Sequence, residues 1–521
     1  MHIRELQKTK KTLLQVILWT LGVAAVSLFL TYYWRVAYEP SFVSGTRLTL
    51  YTFLALGAFC LLTFGVCRLC KERGTLRTVL LIFLAGLAFV FVLPPLQAPD
   101  ETAHFLRSYA ISCGHFDFDA SRDYTAQLGA LYQAFPQAFY NDYSQSIAPR
   151  FAEYAALSAG GTAAPVGETL YMLIWPYLPQ AAGIAAARVL GLGALGQLYA
   201  ARIANVALYA ALCYPALKNC DRYRSILQSV MLLPIGLQVV AGNSYDSWLL
   251  CSAFLVFSYF AKDEITLRDL PFMLLSVLPC SLKPPQLIIV LIWLLIPKSR
   301  WHMQTKKGRR ISPWLVVAGI AAAAFLLYEA AALYSTLASR NYSEIGRWNP
   351  DVDVGGQIAF VFQNLLRTLA VFWFTLYEKL FFLPGLGEFC NLDVTVPAVT
   401  LLSLFSLFTG MVLGVRKKDA DTKNAALGLV LFGVLYVGVV LAALYVTWTP
   451  VGMVRVIGLQ ARYFIPALPA FLAAGGWLAG HVLALRPESE AKVKRAAFWL
   501  PYTVAGVSAL LLFQHCFIGP F

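Results

Sequence analysis

The sequence predicts an all-α polytopic membrane protein, and three observations carry that expectation. Of its 521 residues, 59% are hydrophobic and 13% charged, where soluble domains carry about 25% charged residues; mean hydropathy is +0.65. Long apolar runs recur from Leu13 to Phe517, many of them near the roughly 20 residues that one crossing needs and several shorter. Backbone polar groups in lipid must be satisfied within the segment, so such runs are helices, and the lack of alternation excludes a transmembrane barrel. Lysine and arginine, finally, gather in short connectors between the runs.

The first run, 13–33, follows Arg4, Lys8, Lys10 and Lys11. It is too long for a cleaved signal, and Tyr32-Tyr33-Trp34-Arg35 offers no small-residue cleavage site, so it reads as a retained helix. With 48–67 it forms an N-terminal extra transmembrane hairpin over 1–77, leaving 78–521 as the main membrane domain. Further spans are expected at 78–93, 198–217, 225–242, 246–261, 268–281, 284–297, 313–335, 395–415, 425–446, 464–484 and 497–517, about 13 in all. The short neighbours 268–281 and 284–297 read as a tight hairpin or as discontinuous helices.

Sidedness follows from charge. The connectors 1–12, 68–77, 218–224, 262–268, 298–310, 416–423 and 485–495 hold 27 of the 41 lysines and arginines, which marks them as cytoplasmic. They fall on one side if 171–192 and 360–384 are juxtamembrane or re-entrant helices on the outer side. The N-terminus is then inside, the C-terminus outside, and a long polar loop, 94–197, is external. This placement accounts for the +14 net charge without nucleic acid. The ten cysteines are scattered, mostly within apolar runs, so neither a disulfide-stapled domain nor a zinc site is expected. His115, His302, His481 and His515 are isolated and receive no role.

Four constellations could carry chemistry, all predicted on the outer side. The first is Pro99-Asp100-Glu101 with His104 and Arg107, where the third span leaves the membrane. Pro99 and the two acids suit a helix start. Asp100, His104 and Arg107 stand at i, i+4 and i+7 and would share one helix face, presenting a general base beside a histidine and a cation; the competing reading is a helix cap. The second is the polar turn Gly242–Trp248, with Asn243 and Asp246. The third is Lys283 in Ser281-Leu282-Lys283-Pro284-Pro285, a cation between short spans that needs a partner such as a phosphate. The fourth is Gln460-Ala461-Arg462-Tyr463 at the start of the twelfth span, suited to a phosphate or a sugar. Arg202 and Glu329 are ionisable residues in or near apolar runs, and Tyr140-Asn141-Asp142 adds a candidate substrate contact. A divalent ion at Asp100 and Glu101 is compatible with the pair, though no third ligand stands out; no other cofactor is expected.

The set Pro99-Asp100-Glu101…His104…Arg107, Tyr245-Asp246, Lys283-Pro284 and Gln460-Ala461-Arg462-Tyr463-Phe464-Ile465-Pro466 resembles the bacterial membrane family named for domain of unknown function 2142, over roughly 80–485. That family usually has glycine where Ala461 stands. It is similar to GT-C class glycosyltransferases, which take sugar from a polyprenyl-phosphate donor at an acidic residue in the first large external loop. The resemblance implies an inverting, GT-C-like enzyme of the bacterial cytoplasmic (inner) membrane, acting on a cell-envelope glycan, lipid or protein. It implies Asp100 or Glu101, with His104, as the catalytic group, and Lys283, Arg462 and Arg202 as holders of the lipid phosphate. The alternative is a transporter or flippase of a lipid-linked sugar. A transporter favours ionisable groups near the midplane and matching halves; here charges gather at outer helix ends and no internal repeat is visible.

Overall fold

The computed structural model describes residues 2–38, 45–116, 125–136, 146–160, 173–303, 311–338, 352–414, 420–482 and 487–518. Among the described residues the fold is all-helical apart from two short strand pairs. In chain order the first helices are α1 His2–Tyr38, α2 Gly45–Leu69, α3 Gly74–Val92, α4 Glu101–Ser112, α5 Ala126–Ala134, α6 Ala148–Gly160, α7 Leu178–Val189 and α8 Ala194–Asn219. Next come α9 Arg224–Met231, α10 Pro234–Ala241, α11 Asp246–Ala261, α12 Leu270–Val277, α13 Pro313–Ala338, α14 Val354–Gln363 and α15 Leu365–Glu378. The last are α16 Pro397–Gly414, α17 Ala420–Thr447, α18 Leu468–Val482 and α19 Pro487–Phe513.

Among the described residues, 7 helices are long and apolar enough to cross a membrane, or up to 9 if each of two bent pairs is one span. This does not confirm the expected thirteen, since further apolar helices, Asp246–Ala261, Pro285–Leu295 and Pro397–Leu413, fall short of that length, and part of the reason is local. Proline lacks the backbone N–H that continues a helix. Pro234 therefore marks a 55° bend between α9 and α10. Pro279, Pro284 and Pro285 turn 268–297 into α12 followed by tighter 3-10 segments at Leu278–Leu282 and Pro284–Leu295. At about 2.0 Å rise per residue, the 12-residue second segment reaches about 24 Å, short of the ~30 Å hydrocarbon core. The 464–484 region likewise divides into a 3-10 segment, Ala461–Ala467, and α18. The 360–384 region holds α14 and α15, bent by 106°, in keeping with a juxtamembrane or re-entrant element. The short α7 in 171–192 is likewise no crossing by length.

α8 is the centre of the bundle, packing against α3, α7 and α11. α1 and α2 carry lipid-suited surfaces, with Leu18, Phe29, Leu54 and Leu61 more than half exposed. They join the rest near the C-terminus, where Trp34 Nε1 donates to Gln514 Oε1 at 3.2 Å and Thr63 Oγ1 lies 2.7 Å from Tyr502 Oη.

Several basic connectors meet one another. Arg224 donates to Thr75 Oγ1 at 2.9 Å, Arg222 pairs with Asp263 at 3.2 Å, and Arg77 stacks over Phe498. The strand Ile265–Thr266 pairs in parallel with Trp301–His302. Connectors that the positive-inside argument places together are thus in contact.

Candidate functional site

The site begins with the sharp exit from α3. Leu93-Pro94-Pro95 leads into two left-handed residues, Leu96 at φ 59° and Asp100 at φ 58°, a conformation that Asp tolerates better than most side chains. Asp100 is the residue before α4 and makes no side-chain cap hydrogen bond. Its carbonyl accepts from the His104 N–H at 3.2 Å, while the Arg107 side chain goes to the Phe116 carbonyl. The side-chain capping reading of Asp100 is not met.

Asp100 and Glu101 diverge. Glu101 is completely buried, and Arg202 on α8 reaches it with Nε at 2.7 Å and Nη2 at 2.6 Å. The remaining N–H donors of Arg202 go to the carbonyls of Val90, Leu93 and Pro94. All five guanidinium donors are thereby engaged in tying the α3 exit to α8. Glu101 also accepts from the Asn243 backbone N–H at 3.0 Å, from Asn243 Nδ2 at 3.3 Å and from the Ala98 N–H at 3.3 Å. The Asn243 turn comes this close because residue 242 is glycine: a Cβ there would lie 2.4 Å from that of Ala98. Arg202 and Asn243, expected to face substrate, therefore sit in the cradle of Glu101. Asp100 and Glu101 thus engage different partners, and among the described residues no group of three or more His, Cys, Asp or Glu is arranged to hold a metal.

A second cluster forms around Asp246, the first residue of α11. Lys283 Nζ donates to Asp246 Oδ1 at 3.0 Å, and Arg462 Nη1 stands 3.4 Å from Oδ2. Arg462 Nη2 lies 3.7 Å from Asp100 Oδ2. The helix breaks explain the meeting: Lys283 is the extended residue between two 3-10 segments, and Arg462 lies in the 3-10 turn before α18. The Tyr245 and Tyr463 rings flank the Lys283 ammonium at 5.2 and 5.3 Å, positions that favour a cation over an aromatic face. The Asp246 and Arg462 side chains are 13% and 6% exposed, whereas Asp100 is 50% exposed. Asp100 is thus the accessible carboxylate of the group, and Asp246 the one that holds the cations. The Arg462 Nε–H and Gln460 Oε1 are buried without a hydrogen-bond partner among the described residues.

His104 lies beside this cluster. Its Nδ1 is 2.7 Å from Tyr177 Oη, and its ring meets the edge of Tyr245. Burial pushes the imidazole down to about 3, helped by the positive charges of Lys283 and Arg462 and opposed by Asp246. It is a neutral group at ordinary pH. Arg107, also fully buried, donates to the Phe116 carbonyl at 3.2 Å.

Asp246, Lys283, Arg462 and Tyr463 line a cavity of about 230 Å³. The rest of its wall is mainly apolar, with Leu249, Leu250, Val440 and Leu444 among the lining residues. Ala461, at the position of family variation, is accommodated because residue 385 is glycine, where a Cβ would come within 2.5 Å of the alanine's.

Sequence reasoning missed Tyr177, which binds His104, and Gln180 and Asn205, which hold the 242–245 turn through Ser244 O at 2.9 and 3.3 Å. The signal for Asn205 was its place three residues after Arg202 in an apolar span; the Tyr177 partnership had none. Glu329, on α13, is exposed. Tyr140-Asn141-Asp142 lies outside the described residues.

The family described as "Predicted membrane protein (DUF2142)" matches residues 80–471. Neither the curated proteins nor the solved structures gave a match.

Proposed function

The chain belongs to the DUF2142 family of predicted membrane proteins, and from that premise we propose that it is an inverting glycosyltransferase using a polyprenyl-phosphate sugar. The acceptor is a cell-envelope glycan, lipid or protein at the outer face of a bacterial cytoplasmic membrane. The observation that carries this reading is the cavity of about 230 Å³ whose wall combines the buried Arg462 and the partly exposed Lys283 with mainly apolar side chains. That combination suits a phosphate attached to a hydrocarbon chain. In the proposed reaction, Lys283 and Arg462 bind the lipid phosphate while Asp246 holds both cations in register. The acceptor oxygen attacks the anomeric carbon, the bond from that carbon to the phosphate oxygen breaks, and polyprenyl phosphate departs with the charge that the cations offset. The acceptor's proton passes to Asp100, a carboxylate with open access. His104, kept neutral, positions Tyr177 and Tyr245 around the group without adding charge. Glu101 and Arg202 support the loop that presents Asp100.

The phosphate clamp makes a direct prediction. Lys283→Ala and Arg462→Ala should each weaken use of donor more than use of acceptor. A hydrogen bond to a charged group contributes about 1.5–3 kcal/mol, so the donor KM-dependent rate should fall roughly ten- to a hundredfold. Arg462→Lys should be partly impaired, because lysine lacks the bidentate fork. Steady-state kinetics with varied donor, on protein whose thermal unfolding is unchanged, checks this; an unaltered donor dependence in both alanine variants excludes the clamp.

Sidedness is checked with a native probe. Cys113, at the end of α4, is exposed, whereas the other cysteines are buried or half-buried. In intact cells an impermeant maleimide should label Cys113, and Cys113→Ser should abolish that labelling. Ser299→Cys in the Cys113→Ser background should label only after the membrane is opened. Labelling of residue 299 in intact cells contradicts the outward site.

A further inference from the structure

α11 is 16 residues long, about 24 Å at 1.5 Å per residue, and runs from Asp246 to a second, different cavity. This one, of about 1000 Å³, lies between the 266–268 turn and the segments around 298–303 and 311–314. Arg268 and Lys298 form part of its wall; both are exposed, and neither makes an ion pair among the described residues. None of its described lining residues is acidic. The nearest carboxylate in sequence, Asp269, is already engaged by Lys262 and by the Thr266 backbone N–H and hydroxyl. The β pairing of Ile265–Thr266 with Trp301–His302, together with the Ile311 N–H to Met303 carbonyl bond at 3.0 Å, fixes the cavity's frame.

Two further features say what kind of anion fits. Trp301 and Trp314 line the same cavity, and indoles favour the headgroup level of a bilayer. Directly beyond them the surface turns apolar: Phe272 and Leu275 on α12 are 60% and 57% exposed, and Leu315 on α13 is 70% exposed. α12 and α13 pack side by side. Cations without an ion-pair partner among the described residues and two indoles thus share this cavity, next in the chain to exposed apolar residues of α12 and α13. We propose that this cavity binds the headgroup of an anionic phospholipid, with its phosphodiester between Arg268 and Lys298 and its acyl chains along Phe272, Leu275 and Leu315. A lone inorganic phosphate would use the two cations and leave the indoles and the apolar flank unused. A zwitterionic headgroup would bring its own cation against two more.

The test uses the full chain in nanodiscs and the tryptophans as reporters. Brominated phosphatidylglycerol should quench a component of the fluorescence that brominated phosphatidylcholine leaves intact, and Trp301→Phe with Trp314→Phe should remove that component. Each basic residue near an anionic surface accounts for about a fivefold gain in binding, so Arg268→Gln with Lys298→Gln should weaken the selective quenching about thirtyfold. Arg268→Lys with native Lys298 should stay near the unaltered value, which separates charge from folding. Millimolar inorganic phosphate should leave the quenching unchanged. Equal quenching by the two lipids, indifference to the charge variants, or relief by inorganic phosphate would each overturn the proposal.

Discussion

Asp100→Asn should insert and fold as the unaltered protein does, yet lose glycosyl transfer by at least about a hundredfold, the lower end of what a positioned acid–base group contributes. Asparagine keeps the size of the side chain and tolerates the left-handed backbone at φ 58°, so the conformation of the α3–α4 connection is preserved. What disappears is the charge that receives the acceptor's proton. Because the Asp100 side chain makes no cap hydrogen bond, loss of a helix cap offers no competing explanation. The cation side changes little: Arg462 keeps Asp246 at 3.4 Å and gives up a weaker partner at 3.7 Å. The effect should therefore appear in kcat with donor binding nearly intact. Full activity of Asp100→Asn returns this residue to a structural role.

The second large effect belongs to the buried pair. Arg202→Met leaves Glu101 as an uncompensated charge with no solvent contact, and removing one partner of such a pair costs about 3–5 kcal/mol. The variant should lose most of its folded yield and unfold at much lower temperature in detergent. Glu101→Leu together with Arg202→Met removes both charges and should recover much of that loss, since apolar replacement of a buried pair is often close to neutral. The same double variant distinguishes the two acids of the motif. Transfer retained by the recovered protein excludes Glu101 as the catalytic carboxylate, and adding Asp100→Asn to it should remove what transfer remains.

The sequence made the membrane class readable because lipid imposes a coarse rule, that long apolar runs become helices, and the described spans at Gly74–Val92, Ala194–Asn219 and Ala425–Thr447 obey it. The count of thirteen is not confirmed, and proline is part of the reason, since Pro234 and Pro279 break the helix inside runs that hydropathy alone reads as whole. Those breaks are also what bring Lys283 to Asp246, 37 residues away in sequence. For the candidate site, residue type was informative and partnership was not. Asp246, Lys283 and Arg462 were each conspicuous as ionisable groups at helix ends, yet nothing in their spacing says that one carboxylate joins two cations. Arg202 was conspicuous as an ionisable residue within an apolar run, and its partner is Glu101 rather than a lipid phosphate.

The central claim is that Lys283 and Arg462 hold a lipid phosphate in an apolar cavity beside Asp100, and a structure of the protein in nanodiscs containing a polyprenyl monophosphate tests it most directly. The phosphate should lie within hydrogen-bond distance of Lys283 Nζ and the Arg462 guanidinium, about 2.7–2.9 Å for such charge-assisted bonds, with the isoprenoid chain running past Leu249, Val440 and Leu444. A phosphate bound elsewhere, with the Asp246 pairs to Lys283 and Arg462 unchanged and the cavity empty of lipid, contradicts it.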